Sequence, residues 1–460
     1  MNVQVAVKER RSQKSGISIL GRSPKSKGMF DRLCEKEATL ALVGLGYVGL
    51  PIALEFAKSF KVIGYDINKS RVDLMNQNID PSGELDSEDF ENRDIQFSSS
   101  PRSLYNADVM IVAVPTPVGK DRTPDLNPLS KACRAVGKSI QKGNFIIFES
   151  TVFPGCTEDI CIPILEEESG LKCNVDFWVG YSPERINPGD KVHTLTKITK
   201  IVSGSDAYSE KEIYKIYNHI IDAGIHIAPN IKVAEAAKIV ENTQRDVNIA
   251  LMNELSVFFD ALKINTHEVL EAAGTKWNFL NFYPGLVGGH CIGVDPYYLI
   301  HKADTVGIDL NVIRSSRSIN DEMPSRVVNQ VADALQKQGK VLAKSKVLVL
   351  GATFKEDVTD LRNSKAAEMA QIFKSKAEQL HVIDPFAYPN ELKDYYDLDL
   401  SCTIDKDYDV IVYAVNHNNF KQISWEFIRT IMSEKAVVFD FKKLLGYPTS
   451  QKESVSYITL

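Results

Sequence analysis

Residues 38–66 read ATLALVGLGYVGLPIALEFAKSFKVIGYD. A short apolar run leads into Gly44, Gly46 and Gly49 in the spacing GxGxxG. A helix-length segment follows, and a second apolar run ends at Asp66. The pattern is a strand, a tight turn, a helix and a parallel strand. Gly44 permits the turn, Gly46 lets backbone approach a pyrophosphate, and Gly49 allows the helix to pack closely on the sheet. The helix N-terminus offers free N–H groups and a positive dipole end to phosphates. Asp66, about twenty residues past the motif, can hold both ribose hydroxyls and would repel a 2′-phosphate, so the stretch predicts NAD in preference to NADP. Arg71, slightly further on, suits either the adenosine side of that site or a surface position on the next helix.

The same texture extends outward. DVMIVAV, NFIIFES and DFWVGYS are further apolar runs separated by helix-length segments, and KIVSG and IHIA continue the pattern to about residue 228. This is the signature of a parallel sheet with helices on its faces. Ile231 to Leu262 then has no Gly or Pro and carries Val233, Ala236, Ala237, Val240, Leu251, Leu255, Phe258, Phe259 and Leu262 at helical spacing. Such a helix spans about 48 Å, more than one small domain needs. It is expected to bridge two domains and to pack against a second copy of the chain. Strands return at SKVLVLGATF, LHVIDP, DVIVYAV and AVVFDFK.

The expected class is α/β, with two Rossmann-like parallel-sheet domains joined by a long central helix. A NAD-binding domain covers 38–230, a central helical and dimerisation segment 231–335, and a second α/β domain without GxGxxG 340–460. Residues 1–37 hold Lys8, Arg10, Arg11, Lys14, Arg22, Lys25 and Lys27 among Ser and Gly. They read as a basic, mobile tail open to anionic partners.

Composition removes several classes. The 460 residues carry a net charge of −6 and a pI near 5.9, so a chain-wide basic surface for nucleic acid is absent. No apolar run reaches the roughly 18 residues of a membrane span, and the N-terminus lacks the apolar core of a secretory signal. A cytoplasmic location is expected. The seven cysteines include no CxxC and the eight histidines no HExxH, so neither a disulfide framework nor a metal site is expected.

In GLVGGHCIGVDPYYL, residues 285–299, Gly288 and Gly289 leave backbone room before His290 and Cys291, with Asp295 shortly after. In an NAD enzyme a thiol can add to an aldehyde as a thiohemiacetal, which on oxidation leaves a thioester for water to cleave. Cys133, Cys161 and Cys402 instead suit small buried positions. Lys238, Asn242 and Arg245 fall at i, i+4 and i+7 and so share one face of the long helix. Lysine can stabilise an alkoxide, Asn can donate to the same oxygen, and Arg can hold an anionic group. Thr151 lies at a strand end in ESTVFPG, beside the expected crevice. Glu184 and Arg185 lie together in YSPERINPG, and GATFKEDVTDLRNSK offers Lys355 and Arg362 for phosphate or inter-subunit contact.

Together these segments resemble the nucleotide-sugar 6-dehydrogenases, the family of UDP-glucose and GDP-mannose dehydrogenases. GLGYVGLP, AVPTP, ESTVFPG, SPER, KIVENTQRDVNIALMNEL, GGHCIGVDP and FKEDVTDLRNS occur in family order between about residues 38 and 445. The resemblance implies oxidation of a sugar C6 alcohol to a carboxylate with two NAD+ in succession. It casts Cys291 as the nucleophile, Lys238 as the acid/base or oxyanion-stabilising group and Asn242 as its partner. Asp295 handles protons through water, Thr151 positions that water, and Glu184 assists hydrolysis. Gly44, Gly46, Tyr47, Val48, Gly49, Asp66, Arg71, Thr116, Thr151 and Arg362 line the NAD site on this basis. Arg185, Ile186, Lys238, Asn242, Arg245, Gly288 and Lys355 face a UDP-sugar, and Lys355 and Arg362 lie near the subunit boundary.

Members acting on UDP-glucose or GDP-mannose usually carry Ser or Tyr before the cysteine and Lys-Asp after it. GGHCIGVDPYY and ENTQRDVNIALMNEL resemble instead the branch acting on UDP-N-acetylhexosamines. GTKWNFLNFYPG departs from the His-Pro-Arg type segment of UDP-ManNAc enzymes. The resemblance therefore points to UDP-GlcNAc, in surface polysaccharide (capsule) synthesis and as a homo-oligomer. Alternatives are UDP-GalNAc, UDP-ManNAc or UDP-glucose with the same chemistry, a two-electron alcohol dehydrogenase, and a non-catalytic nucleotide-sugar-binding protein.

Overall fold

The computed structural model describes residues 27–119, 121–186, 190, 192–445 and 455–460. Among these, the first sheet has eight strands: β1 (Thr39–Val43), β2 (Lys61–Tyr65), β3 (Ile95–Ser98), β4 (Val109–Val112), β5 (Phe145–Phe148), β6 (Trp178–Tyr181), β7 (Lys200–Gly204) and β8 (Ile225–Ile227). Their order is β3-β2-β1-β4-β5-β6-β7-β8. Strands β4, β5 and β6 are buried at every residue, as parallel strands covered on both faces must be. In β1 Val43 lies opposite Tyr65 of β2 and Val112 of β4. The glycine turn, Asp66 and the segment after Val112 therefore leave the sheet at one edge. The strand order reverses there, which opens a crevice.

One expectation of a wholly parallel sheet fails at KIVSG. Strand β7 runs antiparallel to β6, and β8 then runs parallel to β7. A parallel neighbour needs a crossover, usually a helix. Between β6 and β7 the described residues supply only a single 3-10 turn, Leu195–Lys197. The helix Ala207–Asn218 between β7 and β8 restores the parallel sense.

The second sheet contains β9 (Lys346–Leu350), β10 (Gln379–Ile383), β11 (Tyr408–Tyr413), β12 (Met432–Asp440) and β13 (Ser456–Ile458), ordered β10-β9-β11-β12-β13. All neighbours are parallel. Strands β3 and β13 lie at sheet edges, where short segments mixing polar and apolar residues give no clear strand pattern.

Of the expected basic tail, residues 1–26 lie outside the described residues. The remainder is not a tail: Met29–Cys34 is a helix whose Met29 and Leu33 are buried in the core beside β1. The two apolar residues are four apart and so share one face, which supplies the burial a solvated segment lacks. Cys133 and Cys161 are buried, but Cys402 is exposed, in the loop between Leu400 and β11 where no helix or sheet covers it. No helix among the described residues is long and apolar enough to cross a membrane.

The long helix runs Ile231–Ala261, capped by the Asn230 side chain, which accepts from the Val233 N–H. Its apolar periodicity marks the outer face. Val233, Val240, Leu251 and Phe258 are 42%, 53%, 48% and 55% exposed, while Lys238, Asn242, Thr243, Asp246 and Asn253 are buried. The buried polar face meets the helix Asn311–Lys337. Arg317 pairs with Asp246, Asn320 Nδ2 donates to Asp246 Oδ1 at 2.8 Å, and Asn253 Nδ2 donates to Asn320 Oδ1 at 2.8 Å. Burial pushes the Asp246 carboxyl up against the pull of Arg317. Arg317→Ala would strand that carboxylate, an effect of about 3–5 kcal/mol for a buried pair, limited by proton uptake. A clear drop in the urea midpoint is expected, checked by far-UV circular dichroism.

Candidate active site

At the crevice, the glycine turn folds so that Gly44 adopts φ +95°, and a Cβ at Gly49 would lie 1.9 Å from the Gly44 carbonyl oxygen. Only glycine at both positions allows the helix Gly49–Phe56 to start here. A Cβ at Gly46 would meet nothing within 4 Å, because this backbone faces open space. Asp66 Oδ2 accepts from Leu45 N at 2.9 Å, which fixes the carboxylate against the turn. Arg71 braces the same turn, donating to Leu45 O at 3.1 Å and Ser82 Oγ at 3.0 Å. An open turn at a helix N-terminus with an acidic group at the next strand end fits a dinucleotide.

The turn borders a cavity of about 370 Å³. Gly46, Tyr47 and Val48 line one side, and Thr116 and Thr151 another, joined by a 2.6 Å hydrogen bond from Thr116 Oγ1 to Thr151 O. A second cavity, of about 260 Å³, contains Arg185, Asn242, Arg245, Gly288 and Lys355. Ile186, Lys238, His290 and Cys291 line both. A third, of about 780 Å³, shares Leu286, Phe354 and Lys355 with the second and reaches Lys442 and Lys443 of the last domain. The three form one trough from the glycine turn to the second sheet.

Cys291 is half-buried at the junction. The turn after it closes when Asp295 N donates to Cys291 O at 2.8 Å, and Asp295 begins the helix Asp295–Thr305. Asn242 Nδ2 donates to Asp295 Oδ2 at 2.5 Å, and Arg245 hydrogen-bonds Asn242 Oδ1. The polar face of the long helix thus meets the cysteine loop. Burial pushes Asp295 up to about 6, while the Lys238 charge and the Asn242 hydrogen bond oppose the rise. Lys238 Nζ is 3.8 Å from Glu241 Oε1, and Glu241 also pairs with Arg185 at 3.0 Å. The second terminal nitrogen of Arg185 donates to Thr199 O at 2.7 Å, so its fork is already largely engaged by the protein.

The diglycine before His290 does more than leave room. A Cβ at Gly288 would lie 2.4 Å from Asn363 O, and one at Gly289 would lie 2.6 Å from the Phe354 ring. The loop is pressed against the last domain, and Gly289 N donates to Asn363 O at 3.1 Å.

The chain matches UDP-glucose/GDP-mannose dehydrogenase family models along most of its length. These are the NAD binding domain at residues 38–221, the central domain at 232–322 and the UDP binding domain at 348–447. The chain belongs to the UDP-glucose/GDP-mannose dehydrogenase family. It is 50% identical to Protein CapL of Staphylococcus aureus over 408 residues, covering 88% of this chain and 96% of CapL. It is 46% identical to a UDP-N-acetyl-D-glucosamine 6-dehydrogenase of Salmonella typhi over 419 residues, covering 91% and 98% of the two chains. A solved UDP-D-ManNAc dehydrogenase from Pyrococcus horikoshii superposes with a TM-score of 0.83 at 31% identity, covering 91% of this chain and 99% of that one. The protein is an NAD-dependent nucleotide-sugar dehydrogenase.

In this member of the UDP-glucose/GDP-mannose dehydrogenase family, Lys238, Asn242, Cys291, Asp295, Thr151 and Glu184 converge on the trough from four separate segments. Arg362 and Thr116 line the cavity beside the glycine turn, Arg185, Arg245, Gly288 and Lys355 line the second cavity, and Ile186 lines both. Gly44, Gly49, Asp66 and Arg71 shape the turn behind the cofactor-side cavity.

The sequence left unread the buried charges beneath. Glu149 lines the cofactor-side cavity, Lys200 Nζ donates to it at 2.7 Å and lies 3.6 Å from Glu184 Oε2, and Tyr217 hydrogen-bonds Glu149. Burial lifts Glu149 to about 7 despite Lys200. This cluster sets the position of Glu184, whose Oε1 accepts from Arg185 N at 2.6 Å and from Ile186 N. A Glu two residues before Thr151 in ESTVFPG was the available signal. His290 and Asp360 were also unread as site residues.

Proposed function

We propose that the protein oxidises the C6 alcohol of UDP-N-acetylglucosamine to the uronic acid through a thioester on Cys291. The chemistry rests on one observation: Cys291 occupies the junction of the cofactor-side and sugar-side cavities, next to Lys238 and the Asn242–Asp295 pair. The sugar rests on similarity, since identity is 46% to the UDP-N-acetyl-D-glucosamine 6-dehydrogenase and 31% to the solved UDP-D-ManNAc enzyme.

Gly46, Tyr47, Val48, Asp66, Thr116 and Thr151 would hold NAD+, which takes up the two electrons of each oxidation. Asp295, fixed by Asn242, removes the C6 hydroxyl proton through water, and Lys238 stabilises the negative oxygen that develops. The Cys291 sulfur forms a bond to the aldehyde carbon. After the second oxidation the adduct is a thioester. Water, positioned by Thr151 and Glu184, breaks the carbon–sulfur bond and returns the thiol. The sum is alcohol, water and two NAD+ giving carboxylate, two NADH and three protons. Lys355, Lys442 and Lys443 along the third cavity suit a diphosphate. The exposed apolar stripe Val233, Val240, Leu251 and Phe258 suits a second copy of the chain. The expected cytoplasmic location and a role supplying surface polysaccharide belong to the same proposal.

Turnover of four UDP-sugars in parallel tests the substrate. The highest kcat/KM is expected for UDP-GlcNAc, with UDP-glucose at least about tenfold lower, because a pocket built for the N-acetyl group loses its contacts. A preference for UDP-ManNAc or UDP-glucose would overturn the assignment and leave the chemistry in place.

A further inference from the structure

We propose that His290 is a further catalytic base, which ionises the Cys291 thiol and is oriented across the domain boundary by Asp360. His290 Nδ1 lies 3.3 Å from Cys291 Sγ, and its Nε2 lies 3.1 Å from Asp360 Oδ2. Asp360 belongs to the loop that follows β9 in the last domain, and Arg362 fixes it with two side-chain hydrogen bonds of 2.9 and 2.6 Å. Burial pushes Asp360 up, but the hydrogen bonds from His290 and Arg362 hold it well below the ordinary carboxylate range. An ionised Asp360 only accepts, so the proton of the neutral imidazole resides on Nε2 and the Nδ1 lone pair faces the thiol. The thiol proton moves to Nδ1, the sulfur keeps the electron pair, and the imidazolium is held between two anions. When water later cleaves the thioester, sulfur departs as the thiolate that the imidazolium stabilises, and no net proton is gained or lost.

The surroundings agree. Burial lowers the His290 pKa, yet Asp360 and Cys291 together raise it to about 9. The Tyr47 hydroxyl is 3.2 Å from the same Nδ1, and burial keeps that phenol protonated. The other titratable groups lining the two cavities that the pair joins are Glu149, Glu184, Lys238 and Asp295 beside the glycine turn, Arg185, Glu241 and Arg245 in the second cavity, and Lys355 and Arg362 from the last domain. Because Asp360 reaches His290 from the last domain, the thiol is fully activated only while the diglycine loop and that domain are docked.

The proposal rests on Cys291 being the nucleophile, and its test needs no turnover. The full-length protein is treated with iodoacetamide from pH 5 to 10, and carbamidomethylation of the Cys291 peptide is followed by mass spectrometry. A free thiol titrates near 8.5 and is only about 3% ionised at pH 7. In the wild type the midpoint at Cys291 is expected well below that. His290→Gln moves it to about 8.5 or above and slows alkylation at pH 7 by about tenfold, since a more basic thiolate regains part of the loss in nucleophilicity. Asp360→Asn gives an intermediate midpoint. Exposed Cys34 and Cys402 serve as internal rate standards, and buried Cys133 and Cys161 stay unlabelled in a folded variant. If His290→Gln exposes the buried thiols, Asp360→Asn decides: a raised midpoint supports the relay, and an unchanged one overturns it. Equal midpoints in wild type and folded His290→Gln also overturn it. Loss of acid formation in Cys291→Ala concerns the nucleophile alone, so the two claims fail separately.

Discussion

Cys291→Ala is expected to lower formation of the uronic acid by at least about 10³-fold, a floor beneath the roughly 10⁶-fold loss that follows removal of a serine nucleophile. The first oxidation needs only a base and an acceptor, so one turnover to the aldehyde remains available to the variant. Without the sulfur, no thiohemiacetal forms and the second oxidation has no substrate. NAD binding should be unchanged, because the glycine turn and Asp66 are held by contacts that do not involve the thiol. Product analysis by mass spectrometry, beside NAD titration of the same preparation, checks both halves. A variant that retains a tenth of wild-type acid formation would contradict a covalent route.

Asp295→Asn is expected to cost about 10²–10⁴ in kcat, the range for a positioned general base. The isosteric amide keeps the Asn242 contact and removes only the titration. Burial raises Asp295 to about 6, so the active, ionised form predominates above that pH. In the wild type, kcat/KM should therefore rise about tenfold per pH unit below about 6 and level off above it. That limb should vanish in the variant. Stability follows the opposite sign. A carboxyl whose folded pKa exceeds its unfolded value binds protons more tightly when folded, so the folded state loses stability as pH rises from about 4 to about 6. Asp295→Asn should accordingly be no less stable at pH 7 than the wild type. An acid limb that persists in the variant would assign it to another group, Glu149 being the nearest candidate by its value of about 7.

Much of the fold was legible because its signals are local. GxGxxG followed by Asp66 is fixed by steric demands within one βαβ unit, and those demands reappear as the φ of Gly44 and the contact at Gly49. The long helix was legible from its length and lack of breakers. The apolar periodicity read from the sequence, however, marks the outer face, and the buried face mixes Ile231, Ala234, Ile239, Ala250 and Met252 with the polar Lys238, Asn242, Thr243, Asp246 and Asn253. Periodicity shows that a face is apolar and not what covers it, and only the polar stripe Lys238, Asn242, Arg245 gave away the inner side. The direction of β7 was illegible because it depends on the route of the loop before it.

The site was legible wherever one short segment carries its own chemistry, as around Cys291. Partnerships between distant segments were not. His290 and Asp360 come from different domains, and Glu149, Lys200 and Tyr217 come from three separate elements. Each is an ordinary residue alone, and only the tertiary fold desolvates them together and gives their charges meaning. Arg185 and Arg71 show the converse. Both read as ligand-facing cations, yet their guanidinium groups are engaged largely by Glu241 and Thr199 and by Leu45 and Ser82.

The most direct test is the number of NADH formed per UDP-GlcNAc consumed to completion by the purified protein with excess NAD+. Two NADH per sugar, with the uronic acid as product, is the expected result. One NADH per sugar, with an aldehyde as product, would contradict the thioester account.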